Sequence, residues 1–347
     1  MRAALLVVNH RVFLVVTSAL AAAAAAAAAA EAEVVTTTTP QVDGPRWMDA
    51  SLSVDVRTAA LLCAMTNEEK NAQLGYGTTK TTGINATRAV AAILAQRGIG
   101  GIGCDLPAAE CPQLMEDINT GLRAKMRLWI PPMQMCESTH SGGVSGSTLF
   151  PMPVVLGQSW NTSLVEAVGR QQGMQARAGG CSQALSPVLQ VITDPRFGRL
   201  AENFGEDPHI VSAAGFAALA GIQGRSNVGT GRNASAYIED PVHHPFCQAK
   251  HYAGYGASAK DGYTSTLEMS ERAVYEVFLV PWRELVSRGL RAVMVSHNML
   301  FGVPMHAHRK LLTSVLRDRF GLGNGYIGSV MHAHSPPCEI RDIKIYM

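Results

Sequence analysis

The sequence has little charge, few aromatic residues and no paired-cysteine motif. Of its 347 residues 16% are charged and 6% aromatic, and the formal net charge is only +2. No run of Lys and Arg interleaved with aromatics occurs, so a nucleic-acid surface is not expected. No C-x-x-C pair and no Cys/His spacing suited to zinc is present, so no structural metal site is expected either. The absence of an internal repeat of about 20 to 50 residues excludes a solenoid or a propeller. What the chain does have is apolar material: 47% of its residues are hydrophobic. That suffices for a large core and is too much for a disordered polypeptide.

The apolar residues are unevenly distributed. Arg2 and Arg11 precede a run from Val12 to Ala30 that ends in unbroken alanines. A basic start, an apolar stretch and small residues before Glu31 describe a signal peptide. The run is also long enough to span a bilayer as an anchor. Residues 1–32 are therefore read as a signal peptide or a membrane tether, and residues 33–48 as a linker. Either reading sends the chain into the secretory pathway, to be secreted, lumenal or lysosome-like. Sequons at Asn85, Asn161 and Asn233 fit that route. Among the seven cysteines, Cys104 and Cys111 are close enough to close a small loop in an oxidising compartment. Cys63, Cys136, Cys181, Cys247 and Cys338 are scattered and read as mostly buried free thiols.

From Asp49 onward short apolar segments alternate with longer amphipathic ones. Strands are expected at Ile99–Ile102, Met133–Cys136, Cys181–Leu185, Cys247–Ala249, Ala292–Val295 and Tyr326–Gly328. Helices are expected at Ser163–Ala178, Pro208–Gly221, Ser270–Ser287 and Lys310–Phe320, with Pro281 kinking the third. Thr66 is the expected N-cap of a helix beginning Asn67-Glu68-Glu69-Lys70. This alternation predicts an α/β fold with a parallel sheet. Polar residues stand where the apolar strands stop: Glu137, Ser186, Lys250 with His251, and Ser296 with His297 and Asn298. In α/β barrels the C-terminal strand ends build the active site.

These strand ends resemble glycoside hydrolase family 3, the family of β-glucosidases and β-xylosidases. Leu61-Leu62-Cys63-Ala64-Met65-Thr66-Asn67-Glu68-Glu69-Lys70 with Gln73-Leu74 resembles the family's opening, and Gly98-Ile99-Gly100-Gly101-Ile102 follows in place. Ile130-Pro131 to Glu137 and Thr148-Leu149-Phe150-Pro151 come next. Asp194-Pro195-Arg196-Phe197-Gly198-Arg199 with Glu202 and Glu206-Asp207-Pro208 is the most specific stretch. Lys250-His251-Tyr252-Ala253-Gly254-Tyr255-Gly256, then Ala292–Asn298, Gly302-Val303-Pro304 and Leu311-Leu312-Thr313, complete the series in the family's order.

The resemblance implies a (β/α)8 TIM-like barrel over residues 49–329, incomplete after its seventh strand. It implies that Glu137 accepts hydrogen bonds from sugar hydroxyls while Arg199, Lys250 and His251 clamp neighbouring ones. A carboxylate accepts from two adjacent hydroxyls, and guanidinium and ammonium groups donate to them. Arg199 is also suited to an ion pair with Glu202 or Asp207 that shapes its loop. Asp194 and Glu206 read as turn and helix-start residues rather than catalytic acids. No metal or cofactor is implied, because a retaining glycosidase works with two carboxyl groups and water.

Those two carboxyls are what the chain lacks. The family's nucleophilic Asp belongs after Tyr326-Ile327-Gly328-Ser329, where this sequence has Val330, and valine carries no nucleophilic atom. In one branch of the family the acid/base is a His-Asp pair after the Lys-His motif. Tyr255 and Ala257 stand in those two places here. In the multidomain branch the acid comes from a following domain. Residues 330–347 read as an unrelated tail, produced by a frameshift, an altered splice or a misassembled gene. A barrel left open there is expected to be poorly soluble, because it exposes strand edges and a core face. Three roles follow from the sequence: a β-glycosidase by family that is inactive as this chain, a sugar-binding remnant or non-functional product, and a membrane-tethered structural protein.

Overall fold

The computed structural model describes residues 44–78, 98–103, 107, 109–225, 240–258 and 266–329. The N-terminal apolar run, Asn85, Cys104, Asn233, Val330 and the tail after it lie outside the described residues. The chain divides into two compact units, residues 1–65 and 66–347. In the first, Ser53 caps helix α1 (Val54–Ala64) by accepting from Val56 N. Arg57 Nε donates to Trp47 O at 3.0 Å.

The second unit opens with helix α2 (Asn67–Gln73), capped by Thr66 as expected. Thr66 Oγ1 accepts from Glu69 N at 3.2 Å while the Glu69 carboxylate accepts from Thr66 N at 2.8 Å. This reciprocal capping box satisfies two orphan donors of the first helical turn. Arg127 then pairs with the same Glu69 carboxylate at 2.7 Å.

Seven parallel strands follow in one sheet: β1 (Tyr76–Thr78), β2 (Gly101–Gly103), β3 (Met133–Cys136), β4 (Gln183–Ala184), β5 (Phe246–Tyr252), β7 (Ala292–Val295) and β10 (Tyr326–Ser329). They pair in that order. Three short strands, β6 (Thr266–Leu267), β8 (Met299–Leu300) and β9 (Val303–Pro304), form a separate small sheet. Helices α3 (Cys111–Lys125), α4 (Pro153–Gln158), α5 (Thr162–Ala178) and α6 (Pro208–Ile222) run between the parallel strands. This is the expected α/β architecture. The core lies between sheet and helices, with Tyr252, Leu189, Leu219, Trp282 and Leu285 all buried within it.

Several expectations are corrected. β1 has no counterpart among the expected strands, because Gly75-Tyr76-Gly77-Thr78 carries no apolar run. The strand expected at Ile99–Ile102 is shifted to Gly101–Gly103, and Cys181–Leu185 shortens to Gln183–Ala184. The helix expected over Ser270–Ser287 is broken into Glu271–Ala273, a π turn at Val274–Phe278, and Val280–Ser287. Pro281 stands in the first turn of the last of these rather than kinking a continuous helix. A proline has no N–H to donate, and the first turn is where none is required. The helix expected at Lys310–Phe320 is π-type over Lys310–Arg319. The scattered cysteines are not all free. Cys136 and Cys181, with Cα atoms 6.0 Å apart, form a disulfide, and Cys111 is disulfide-bonded too. Cys63 and Cys247 are free thiols.

Candidate active site

Glu137 is the first residue beyond β3, and the disulfide partner Cys136 is the last residue within it. Gly143, at φ 71°, lets the following loop fold back, since a Cβ there would overlap the Glu137 carbonyl. Lys250 and His251 are not beyond β5 but inside it, because the strand continues to Tyr252. Side chains of a regular strand alternate between faces. The β5–β7 register shifts between Ala249 and Tyr252, and such an irregularity re-aims side chains. Consecutive residues can then serve one site. The Lys250–His251 and Tyr252–Ala253 peptides are both cis. Beyond the strand, Ala253 O accepts from Ser296 Oγ at 3.3 Å and from Asn298 Nδ2 at 3.2 Å. Two of the polar strand-end residues thus hold the backbone just beyond β5 in place.

Arg199 sits on the loop between β4 and α6. That loop is tied down by Ile192 N to Gly205 O at 3.2 Å and Thr193 N to Gly256 O at 3.2 Å. Buried Asn203 donates to Arg199 O at 2.7 Å. Phe197 packs edge-on against Tyr255, with ring centroids 5.0 Å apart. Asp207 caps α6 by accepting from His209 N and Ile210 N at 2.7 and 3.0 Å. Asp194 accepts from the backbone and side chain of Arg196, and those hydrogen bonds hold its pKa at about 2. Both act as turn and helix-start residues.

The fold brings Glu137, Arg199, Lys250 and His251 together. Lys250 Nζ donates to Glu137 Oε1, which also accepts from Thr139 Oγ1 at 2.6 Å. The two partners differ sharply in exposure, Lys250 at 1% and Glu137 at 59% of the side chain. Desolvation is nonetheless the largest single influence on Glu137 and pushes its pKa up. The Lys250 charge and hydrogen bond, the Thr139 hydroxyl and the Arg199 charge outweigh it and hold Glu137 below the usual carboxylate range. It is therefore an acceptor at neutral pH, not a proton donor.

Arg199 makes a two-pronged pair with Glu202, Nε to Oε1 at 2.8 Å and Nη2 to Oε2 at 2.7 Å. Its remaining nitrogen, Nη1, lies 3.4 Å from His251 Nε2. Burial disfavours the guanidinium charge, and Glu202, Tyr255 and Glu137 more than restore it, raising the pKa. The loop-shaping ion pair and a site-facing donor are thus two ends of one side chain. His251 is 2% exposed and packs edge-on to Tyr255 at 5.5 Å. Sequence reasoning missed Thr139 and the packing role of Tyr255. A Thr two residues after an acid is too common a signal to single out. Among the described residues no group of three or more potential metal ligands converges, and no helix is long and apolar enough to cross a membrane.

Residues 66–334 match the glycosyl hydrolase family 3 N terminal domain. The chain is 33% identical over 213 residues to a β-xylosidase of Formosa agariphila, covering 59% of this chain and 28% of that one. It is similar in structure to a β-glucosidase from Erythrobacter marinus, with a TM-score of 0.71, 28% identity, and coverage of 82% and 37%. A β-glucosidase from Listeria innocua in complex with glucose matches with a TM-score of 0.66, 26% identity, and coverage of 79% and 37%. The chain spans about a third of the length of these relatives.

Proposed function

Because the chain belongs to glycosyl hydrolase family 3, we propose that it carries the sugar-holding part of a retaining β-glycosidase site, and that with Val330 in the nucleophile's place it does not hydrolyse what it holds. The sugar is a terminal β-glucosyl or β-xylosyl unit. The observation that carries this reading is the ionised Glu137 carboxylate, held by buried Lys250 at the mouth of strands β3 and β5. One exposed acceptor beside fixed cationic donors is the arrangement that vicinal sugar hydroxyls require. The glucose complex of the Listeria innocua relative and the β-xylosidase relative support the substrate class.

Catalysis needs two further carboxyls. Position 330 supplies neither of them, and the acid/base in the multidomain branch lies beyond a barrel. The secretory route rests on the N-terminal apolar run, and the Cys136–Cys181 disulfide suits an oxidising compartment.

Isothermal titration of the purified chain with glucose, xylose and an aryl β-glucoside tests the proposal. Binding without turnover is expected, and Lys250→Met and Arg199→Ala should each abolish it. Glucose affinity unaltered by both substitutions would sink the assignment.

A further inference from the structure

Two donors hold the Glu137 carboxylate, and they come from different parts of the chain. Lys250 Nζ belongs to β5, 113 residues away, whereas Thr139 Oγ1 is two residues further along the same loop. Both donate to one oxygen, Oε1. Each carboxylate oxygen offers two lone-pair sites, so these two donors fill Oε1. Among the described residues nothing donates to Oε2, and the Glu137 side chain is 59% exposed. Oε2 is therefore the oxygen left open to a ligand.

Thr139 is a well-fixed donor. Ser138 before it is fully buried. After it, His140 O accepts from Phe150 N at 2.8 Å, and His140 Nδ1 lies 3.3 Å from Phe150 O. The loop is thus pinned on both sides of the threonine. A β-branched side chain has few χ1 rotamers, so a pinned backbone also fixes the hydroxyl. Threonine hydroxyls in loops commonly bond to nearby backbone; this one donates to the carboxylate at 2.6 Å instead. The lysine cannot do the same work alone. An ammonium group is a point charge with rotatable donors, which attracts a carboxylate without fixing its plane. A second donor on the same oxygen does fix it.

We propose that Thr139 is a positioning residue for sugar recognition: with Lys250 it saturates Oε1 and sets the carboxylate so that Oε2 alone meets the sugar. This rests on the proposed sugar-holding role of Glu137. The mode in which each carboxylate oxygen takes one of two adjacent hydroxyls is closed, and recognition passes through a single oxygen. The cations facing the carboxylate are Lys250 of β5 and Arg199 of the β4–α6 loop. Glu202 and His251 contact Arg199 in turn, at 2.7 and 3.4 Å, and His140 lies on the carboxylate's own loop. Substitution at Thr139 alters none of these groups. It removes one hydrogen bond that favours the ionised form, so the carboxylate then titrates at higher pH.

The test measures glucose affinity by isothermal titration from pH 7 down to 4 for the full chain and its Thr139→Val and Thr139→Ser variants, with circular dichroism confirming that each is folded. Valine keeps the shape and removes the donor; serine keeps the donor on a freer side chain. Thr139→Val is expected to weaken glucose binding about 3- to 10-fold at pH 7, the usual net worth of one hydrogen bond. It is also expected to move the acid limb of binding to higher pH. Thr139→Ser should return the limb and most of the affinity. Wild-type affinity and an unmoved limb in Thr139→Val would overturn the proposal while leaving the sugar site intact. A weakened Thr139→Val whose limb stays in place, or a loss that serine does not rescue, would show the threonine acting through loop packing and would overturn it equally. A wild-type chain that binds no glucose across this range would overturn the sugar-holding reading itself, and the role of Thr139 with it.

Discussion

Replacing Glu137 by alanine removes the acceptor from an ammonium group that is 1% exposed. A buried ion stripped of its partner typically costs about 3–5 kcal/mol. Glu137→Ala should therefore lower the unfolding free energy by about 3–5 kcal/mol. The converse change should be milder. Lys250→Met leaves a Glu137 side chain that is 59% exposed and keeps its 2.6 Å hydrogen bond from Thr139. Water reaches it and offsets part of its desolvation, so the loss should stay below that of Glu137→Ala. The double variant should recover most of the Glu137→Ala deficit, since the stranded charge is gone. Urea unfolding of the three variants measures all of these. A Lys250→Met loss as large as that of Glu137→Ala, or a double variant that recovers nothing, would refute the reasoning.

Further predictions concern catalysis, histidines and the disulfide. Val330→Asp should give a burst of phenolate from 2,4-dinitrophenyl β-glucoside, whose leaving group needs no acid, and intact mass should show one glycosyl unit attached; no adduct would reject position 330 as the nucleophile's. Burial, the largest cause in each case, lowers the pKa values of His244, His306 and His308. Since the unfolded chain then binds protons more readily, stability is fully present above about pH 6.5 and falls as pH drops below it; melting temperatures that stayed flat from pH 7 to 5 would contradict this. Replacing both Cys136 and Cys181 by alanine, which releases a sequence separation of 45 residues, should cost up to about 4 kcal/mol. It should also weaken sugar binding, because Glu137 adjoins Cys136; glucose titration checks that part.

Much of the fold was legible because it is written locally. Thr66 and Glu69 are three residues apart and declare a helix start through their own side chains. The alternation of short apolar runs with amphipathic stretches marked Met133–Cys136 and Ala292–Val295 at their observed bounds. What failed locally had no local signal. β1 is a glycine-rich segment that becomes a strand only by pairing with β2. The break before Pro281 is a π turn over Val274–Phe278, which the proline alone does not announce.

The candidate site divides along the same line. Sequence by itself determined the family, the chemical types at the strand ends and the valine at position 330, because these are matters of identity and order. Only the tertiary structure decided how those groups act. Glu137 and Lys250 are 113 residues apart and Arg199 and His251 are 52 apart, so no pattern along the chain reports their contact. Packing buries the lysine and leaves its carboxylate open to water. It turns one end of Arg199 to Glu202 and the other to His251. Charge and shape are properties of residues, whereas the dielectric around a charge arises only when distant segments meet.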